Sequence, residues 1–191
     1  TSGSATSINV SLTGVANATS YTARIYLASD TSTALQTITS FTSGSAITAL
    51  TAGTAYVVNI TAIGDGISYA DSPASDPSSS ITTNAAAATP TLSAPTSASK
   101  NVGATHRFSS SATVGDAGAL SYQWQVSTNG TDWSDISGAT AVDYTTATLV
   151  IGDNAKQYRM GATNSKNGTT TTAYSSAATL TVTRTTLGTP V

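Results

Sequence analysis

The 191-residue chain contains no cysteine, which excludes disulfides, thiolate metal sites and cysteine nucleophiles together. Whatever core it builds must hold by packing and backbone hydrogen bonding. It also contains no glutamate: all nine acidic residues are aspartates, set against seven lysines and arginines. Only 8% of residues are charged, far below the roughly 25% of an average soluble protein, and the charged helix formers are nearly absent. A net charge of −2 and a pI near 4.9 leave no basic cluster to neutralise phosphates, so nucleic acid is not an expected partner. No apolar run approaches the roughly 18 to 20 residues of a membrane span, and no charged-then-apolar leader opens the chain. Membrane insertion is therefore not expected, and the chain reads as an internal fragment or a mature form.

What the chain does have is 39% hydrophobic residues on a background of serine, threonine, alanine and glycine. β-Branched threonine suits a half-buried pleated surface better than a helix, so an all-β fold is expected. Period-two segments occur at Ser7 to Leu12, Tyr21 to Leu27, Leu35 to Phe41, Ala46 to Leu50 and Ala55 to Ile63, with a weak one near Ser78 to Thr82. The alternation stops at Thr82-Thr83-Asn84-Ala85-Ala86-Ala87-Ala88-Thr89-Pro90, where four alanines are too few to repay helix nucleation. The expected organisation is a sandwich over residues 1–83, an extended linker over 84–90, a second sandwich over 91–183 and a tail over 184–191.

Leu50-Thr51-Ala52-Gly53-Thr54-Ala55-Tyr56 resembles the turn into the sixth strand of fibronectin type III domains, where a tyrosine hydroxyl bonds back to the turn as a tyrosine corner. Gly14 to Tyr21 resembles that family's turn into its third strand, with Leu12 standing where a tryptophan is common. Beyond the linker, Leu120-Ser121-Tyr122-Gln123-Trp124-Gln125, Asn129-Gly130-Thr131-Asp132-Trp133 and Asp153 to Met160 resemble the third strand, a turn and the sixth-strand corner of bacterial immunoglobulin-like domains. These resemblances imply two tandem β-sandwiches of the fibronectin type III and immunoglobulin-like kinds. They further imply corner tyrosines at Tyr56 and Tyr158 and a core tryptophan at Trp124. Where that pattern carries a disulfide cysteine the chain has Met160, facing a partner position near Ala112, and Met160 is expected against Trp124 as a flexible gap filler.

Candidate chemistry is sparse. The single histidine, His106, lies in Ala104-Thr105-His106-Arg107-Phe108-Ser109 without a nucleophile or carboxylate motif, and is expected to be an exposed structural residue on a strand. No nucleophile elbow, zinc-protease motif or phosphate loop occurs, so no catalytic residue and no cofactor are expected. Asp65, Asp71 and Asp76 share one loop-rich segment and Asp153 sits at a corner; they could supply hard oxygen ligands to calcium, but turn aspartates are the expected role. Tyr69, Trp133, Tyr144 and Tyr174 are candidates for a glycan platform, with Trp133 and Tyr144 expected instead to close the second core. Five Asn-x-Ser/Thr sequons begin at Asn9, Asn17, Asn59, Asn129 and Asn167.

The resemblances imply a non-catalytic extracellular module of a cell surface or secreted protein, an adhesive or structural subunit of a fibre, filament or coat. The alternatives are an accessory carbohydrate-binding module of a secreted enzyme and a decoration domain of a phage or viral coat. The expected partners are neighbouring domains or identical subunits, or a glycan. The first sandwich lacks an opening strand, Thr1 to Thr6 being too polar for one. The tail carries Thr186, Leu187 and Val191 in a pattern like Thr91-Leu92-Ser93-Ala94-Pro95, which makes it a candidate donor strand for the first domain of another copy.

Overall fold

The computed structural model, which describes residues 1–184, is all-β with one short 3-10 turn. Its described residues form two compact units, Thr1–Ala86 with Asn167–Thr169, and Ala87–Lys166 with residues 170–184.

The first unit opposes two sheets. One pairs β1 (Ile8–Asn9) with β4 (Ala46–Ile47); the other runs in the order β3 (Gln36–Ile38), β2 (Ser20–Leu27), β5 (Ala55–Ile63), β6 (Ile81–Thr82). β2 and β5 are antiparallel over eight residue pairs, from Ser20 opposite Ile63 to Leu27 opposite Tyr56. Period-two alternation turns Ala23 and Ile25 inward with Tyr56 and Val58, where they meet Ile8, Val10, Phe41, Ile47 and Leu50 in one core. Thr1 and Ser2 fold back on β1, Ser2 bridging Ile8 while Thr1 and Asn9 exchange backbone N–H···O bonds of 2.8 Å. The polar opening residues thus occupy part of the place expected to be vacant, because a two-residue bridge needs backbone groups and no apolar side chain.

The free side of β5 is closed in an unexpected way. Ser72, Ser75 and Ser78 donate their backbone N–H groups to the carbonyls of Ala62, Ile60 and Val58 at 2.8–2.9 Å. In return the amides of those three residues donate to the serine Oγ atoms at 3.0–3.1 Å. Each serine hydroxyl then donates to a carbonyl on its own segment, at Pro73, Asp76 or Ser79. Three residues on this segment match two on β5, so the hydroxyl replaces the backbone carbonyl as acceptor and Pro73 and Pro77 fall between rungs, where no N–H is needed. This serine ladder caps an edge that would otherwise invite pairing.

In the second unit the main sheet runs β12 (Ser134–Asp135), β11 (Ala119–Ser127), β14 (Gln157–Lys166), β16 (Ala178–Thr183), β8 (Ala98–Asn101), with β15 (Thr169–Tyr174) also on β14. β8 runs parallel to β16. Facing it are β9 (Arg107–Ser109) with β13 (Asp143–Thr145), and β7 (Thr91–Leu92) with β10 (Ala112–Thr113). β14 and β15 form a hairpin through Asn167 and Gly168, both left-handed at φ 51° and 78°, the turn an Asn-Gly pair favours. Between β15 and β16, Ser175 repeats the serine device once: its N–H donates to Met160 O at 2.9 Å and its Oγ accepts from Met160 N at 3.0 Å.

Trp124 and Met160 are opposite each other on β11 and β14, both fully buried. The backbone groups of Trp124 bond to Ala139 and Ile136 and those of Met160 to Ser175, so the two form a non-hydrogen-bonded pair, the kind that brings side chains closest. Phe108, Leu149, Tyr158, Leu180 and Val182 complete this core, with Ala112 and Tyr144 packed against it. The Trp124 indole N–H donates to Ala141 O at 3.0 Å.

Residues 84–90 form no strand or helix, yet the segment is anchored at Ala88. Its N–H donates to Asp116 Oδ2 and its carbonyl accepts from Asn164 Nδ2, each at 2.9 Å. The Ala87 carbonyl also accepts from Thr171 Oγ1 at 2.9 Å, so the expected linker is held by the second unit at both Ala87 and Ala88, through polar partners that composition alone does not reveal.

Candidate functional site

The two corner tyrosines behave differently. Tyr56 is buried and its hydroxyl accepts from Thr51 N at 2.9 Å. The Thr51 carbonyl in turn accepts from the buried Thr83 hydroxyl at 2.7 Å, so both backbone groups of one corner residue are held. Five residues before Tyr158 stands Asp153, and its N–H already donates to Val150 O within the 3-10 turn Ile151–Asp153. The Asp153 carboxylate also accepts from Val150 N and from Lys156 Nζ. With the corner's donor engaged locally, the Tyr158 hydroxyl finds no hydrogen bond among the described residues. Tyr158 is instead a core ring, stacked on Phe108 at 4.6 Å and on Tyr144 at 6.0 Å, and burial pushes its pKa up to about 12. The corner expected at Tyr158 is thus replaced by an aromatic stack. Tyr56→Phe is expected to lower stability by about 1 to 2 kcal/mol, the cost of a buried hydrogen bond, while Tyr158→Phe stays within about 0.5 kcal/mol; urea titration of each variant checks the contrast.

His106 lies just before β9 and is half-buried, not exposed. Its ring packs edge-on to Phe108 at 4.5 Å, and burial, then the charge of Lys100, pulls its pKa down. Asp65 Oδ1 accepts the N–H groups of Ile67, Ser68 and Tyr69, and Asp71 Oδ1 accepts from Gly64 N, so both carboxylates close their own loop. Asp76 lies apart from them, at the rim of a groove between β1 and the serine ladder.

The aromatic candidates also separate. Tyr144 packs on the second core, as expected, but Trp133 lies on the outer face of the main sheet. There the Arg159 guanidinium sits 4.1 Å from the Trp133 ring centroid and 4.1 Å from that of Tyr174. The stack is possible because Gly161 has no side chain: a Cβ there would lie 2.9 Å from Tyr174 Cε1. Arg159 Nε donates to Gln125 Oε1 at 2.9 Å, and Gln125 Nε2 donates to Asp135 Oδ1 at 2.8 Å. A tryptophan, an arginine, a tyrosine and two amide or carboxylate groups thus share one exposed face. Tyr69 is also half-exposed but stands in a loop of the first unit, remote in sequence from this group.

A family described as a domain of unknown function, DUF8696, matches residues 78–184. The chain belongs to the DUF8696 family. No curated protein matches it. Among solved structures, the chicken CNTN1 FN1-FN3 domains are similar at 13% identity and a TM-score of 0.35, over 95% of this chain and 63% of that one. Two marsupial T cell receptor structures are similar at 9% and 12% identity with TM-scores of 0.41 and 0.42, over 92% and 98% of this chain and 67% and 71% of those.

The DUF8696 match takes in the last serine rung, Ser78, the anchored segment and the whole outer face just described. Inside it the most connected polar group is Asp116. Its carboxylate accepts from Ala88 N, Gly118 N and the buried Asn164 Nδ2, and its carbonyl accepts from Lys166 Nζ. These bonds, led by that from Ala88, hold its pKa low. The same direction applies to Asp143 through Ser109 and Arg107, to Asp153 through Lys156 and to Asp65 through Tyr69. A carboxyl group with a folded pKa below its unfolded value of about 3.9 stabilises fully above that value and loses its contribution as pH falls through the folded one. His106, whose folded pKa lies below its unfolded value of about 6.5, begins to cost stability as pH falls below about 6.5, and the carboxylates add a steeper loss below about pH 4, so the unfolding temperature is expected to decline slightly and then sharply. Scanning calorimetry across that range tests this, and a level profile down to about pH 2 would contradict it.

Proposed function

We propose that the chain is a non-catalytic structural module of a surface-exposed or secreted protein, serving as a spacer or subunit of a fibre, array or coat. The observation that carries this reading is how its polar residues are used. The serine ladder, Thr83, Asp65, Asp116 and Asp153 all turn their side chains onto the protein's own backbone, which closes edges and loops rather than presenting a reactive group. Such a module needs persistence and low stickiness, and a capped edge serves both. Incubation with a panel of ester, peptide and glycoside substrates should show no turnover, and activity on any of them would overturn the reading.

A second reading, an accessory glycan-binding module, is favoured by one observation: Trp133 stacks on the outer face with Arg159 and Tyr174 instead of closing the core. Aromatic faces flanked by hydrogen-bonding groups suit pyranose rings. A glycan array separates the two. Binding that is lost in Trp133→Ala supports the accessory role, and silence across the array supports the structural one.

A further inference from the structure

In the second unit the slot beside the second strand is filled. Thr91–Leu92 (β7) pairs antiparallel with β10, Leu92 opposite Ala112, and Leu92 packs on the core. The chain then crosses to run beside β16 as β8.

The corresponding strand of the first unit is β1 with its continuation to Leu12. Val10 bonds toward β4 through Ser45 O and Gly44 N, and Leu12 bonds the same way through the Ser43 hydroxyl. Ser11, between them, turns its N–H and C=O to the opposite side. Among the described residues no hydrogen bond is found for Ser11 or Thr13, both exposed, while at Asn9 the same edge is held by Thr1. Beside the open stretch lies a groove of about 400 Å³, floored by Val10, Val58, Ile60 and Ile81 and bounded across from Ser11 by Ser75 and Ser78. On the far rim the serine ladder turns its bonds toward β5, while on the β1 side Ser11 offers its N–H and C=O.

We infer that this groove receives, as an added antiparallel strand, residues 185–191 of a second copy of this chain. The inference rests on the structural reading above and names the partner. Those residues lie outside the described part of the chain, and their sequence supplies the argument. Thr186-Leu187-x-x-Pro190 repeats Thr91-Leu92-x-x-Pro95, and Thr91 and Leu92 are the residues that close the matching edge of the second unit. Period two puts Leu187, Thr189 and Val191 on one face, which presents two apolar side chains to an apolar floor. Pro190 lacks an N–H and is tolerated only on an edge. The segment carries no charged side chain, and among the described residues Asp76 has the only charged side chain lining the groove, so side-chain charge repulsion does not oppose insertion. Main-chain bonds supply affinity and the alternate side chains supply register. The contact is heterologous, so its repetition builds a ring where the rotation between copies closes and a linear assembly where it does not.

Sedimentation of the full chain over a wide concentration range tests this. Association that rises with concentration is expected, at least tenfold weakened by deleting residues 185–191 and by Leu187→Asp. The synthetic peptide Thr-Thr-Leu-Gly-Thr-Pro-Val should compete for association and shift the amide resonances of Asn9 to Thr13. Ser11→Pro, which removes an N–H the fold does not use, should weaken both effects. A chain monomeric at every attainable concentration overturns the inference, as does association indifferent to the deletion. Peptide binding by a chain that never associates also overturns self-donation and assigns the strand to another source. None of these outcomes bears on turnover or glycan binding, so failure here is distinguishable from failure of the structural reading.

Discussion

Replacing Trp124 with alanine is expected to destabilise the second unit by about 3 to 5 kcal/mol, a large part of the roughly 5 to 15 kcal/mol that holds a domain folded. Three losses combine. The indole is the largest fully buried side chain, so a cavity opens between β11 and the facing strands. Its contacts with Phe108 and Tyr144, at ring separations of 6.2 and 6.1 Å, vanish. The Ala141 carbonyl loses the indole N–H that meets it at 3.0 Å. Met160→Leu, at the cross-strand neighbour, conserves volume and should cost under about 1.5 kcal/mol. Urea unfolding followed by circular dichroism compares the two; near-equal effects would mean that Trp124 is not the centre of this core.

The second large effect is expected at Asn164. This fully buried residue donates to Ala88 O at 2.9 Å and to both oxygens of Asp116 at 3.1 Å. Asn164→Ala removes a charge-assisted bond and leaves the Ala88 carbonyl without that donor, for a loss of about 3 kcal/mol. Gly118→Ala should approach the same magnitude from the other side, because its Cβ would come within 2.0 Å of Asn164 Oδ1 and 2.8 Å of Cγ, and shifting the side chain pulls its Nδ2 off Ala88 and Asp116. Hydrogen exchange gives the specific signature: the Ala88 amide, bonded to Asp116 in the native protein, should lose its protection in both variants. Protection retained at Ala88 alongside a full loss of stability would mean that the anchor does not depend on Asn164.

The long central strands were legible in the sequence because their alternation is dense. Ala55–Ile63 falls on the same residues in sequence and structure, and Tyr21 to Leu27 differs by one residue. The place of Met160 opposite Trp124 was implied by the immunoglobulin-like resemblance, whose pattern carries a cysteine at that position. The closure of β5 was not. Its residues are serine, proline and aspartate, its period is three, and a search for apolar alternation passes over it; the signal was Ser72-x-x-Ser75-x-x-Ser78 itself. Tyr158 misled because motif spacing places a tyrosine without revealing whether the amide it should meet is free, and Asp153 N is not. Trp133 misled because a bulky aromatic suits a core by size alone, whereas a cation beside it and a glycine opposite its neighbour decide that it stays outside.

The serine ladder also bears on how the first unit responds to being pulled. Ser72, Ser75 and Ser78 lie along one edge just ahead of β6, and each contributes a pair of hydrogen bonds to β5 directed across the strands. Tension applied along the segment would load all six bonds together in shear instead of opening them one after another. Each rung joins one backbone–backbone bond to one bond on a serine hydroxyl, so shear must break both kinds together. A segment built from proline and serine, unremarkable as a β-former, would then resist tension along the edge as a row of paired bonds loaded at once.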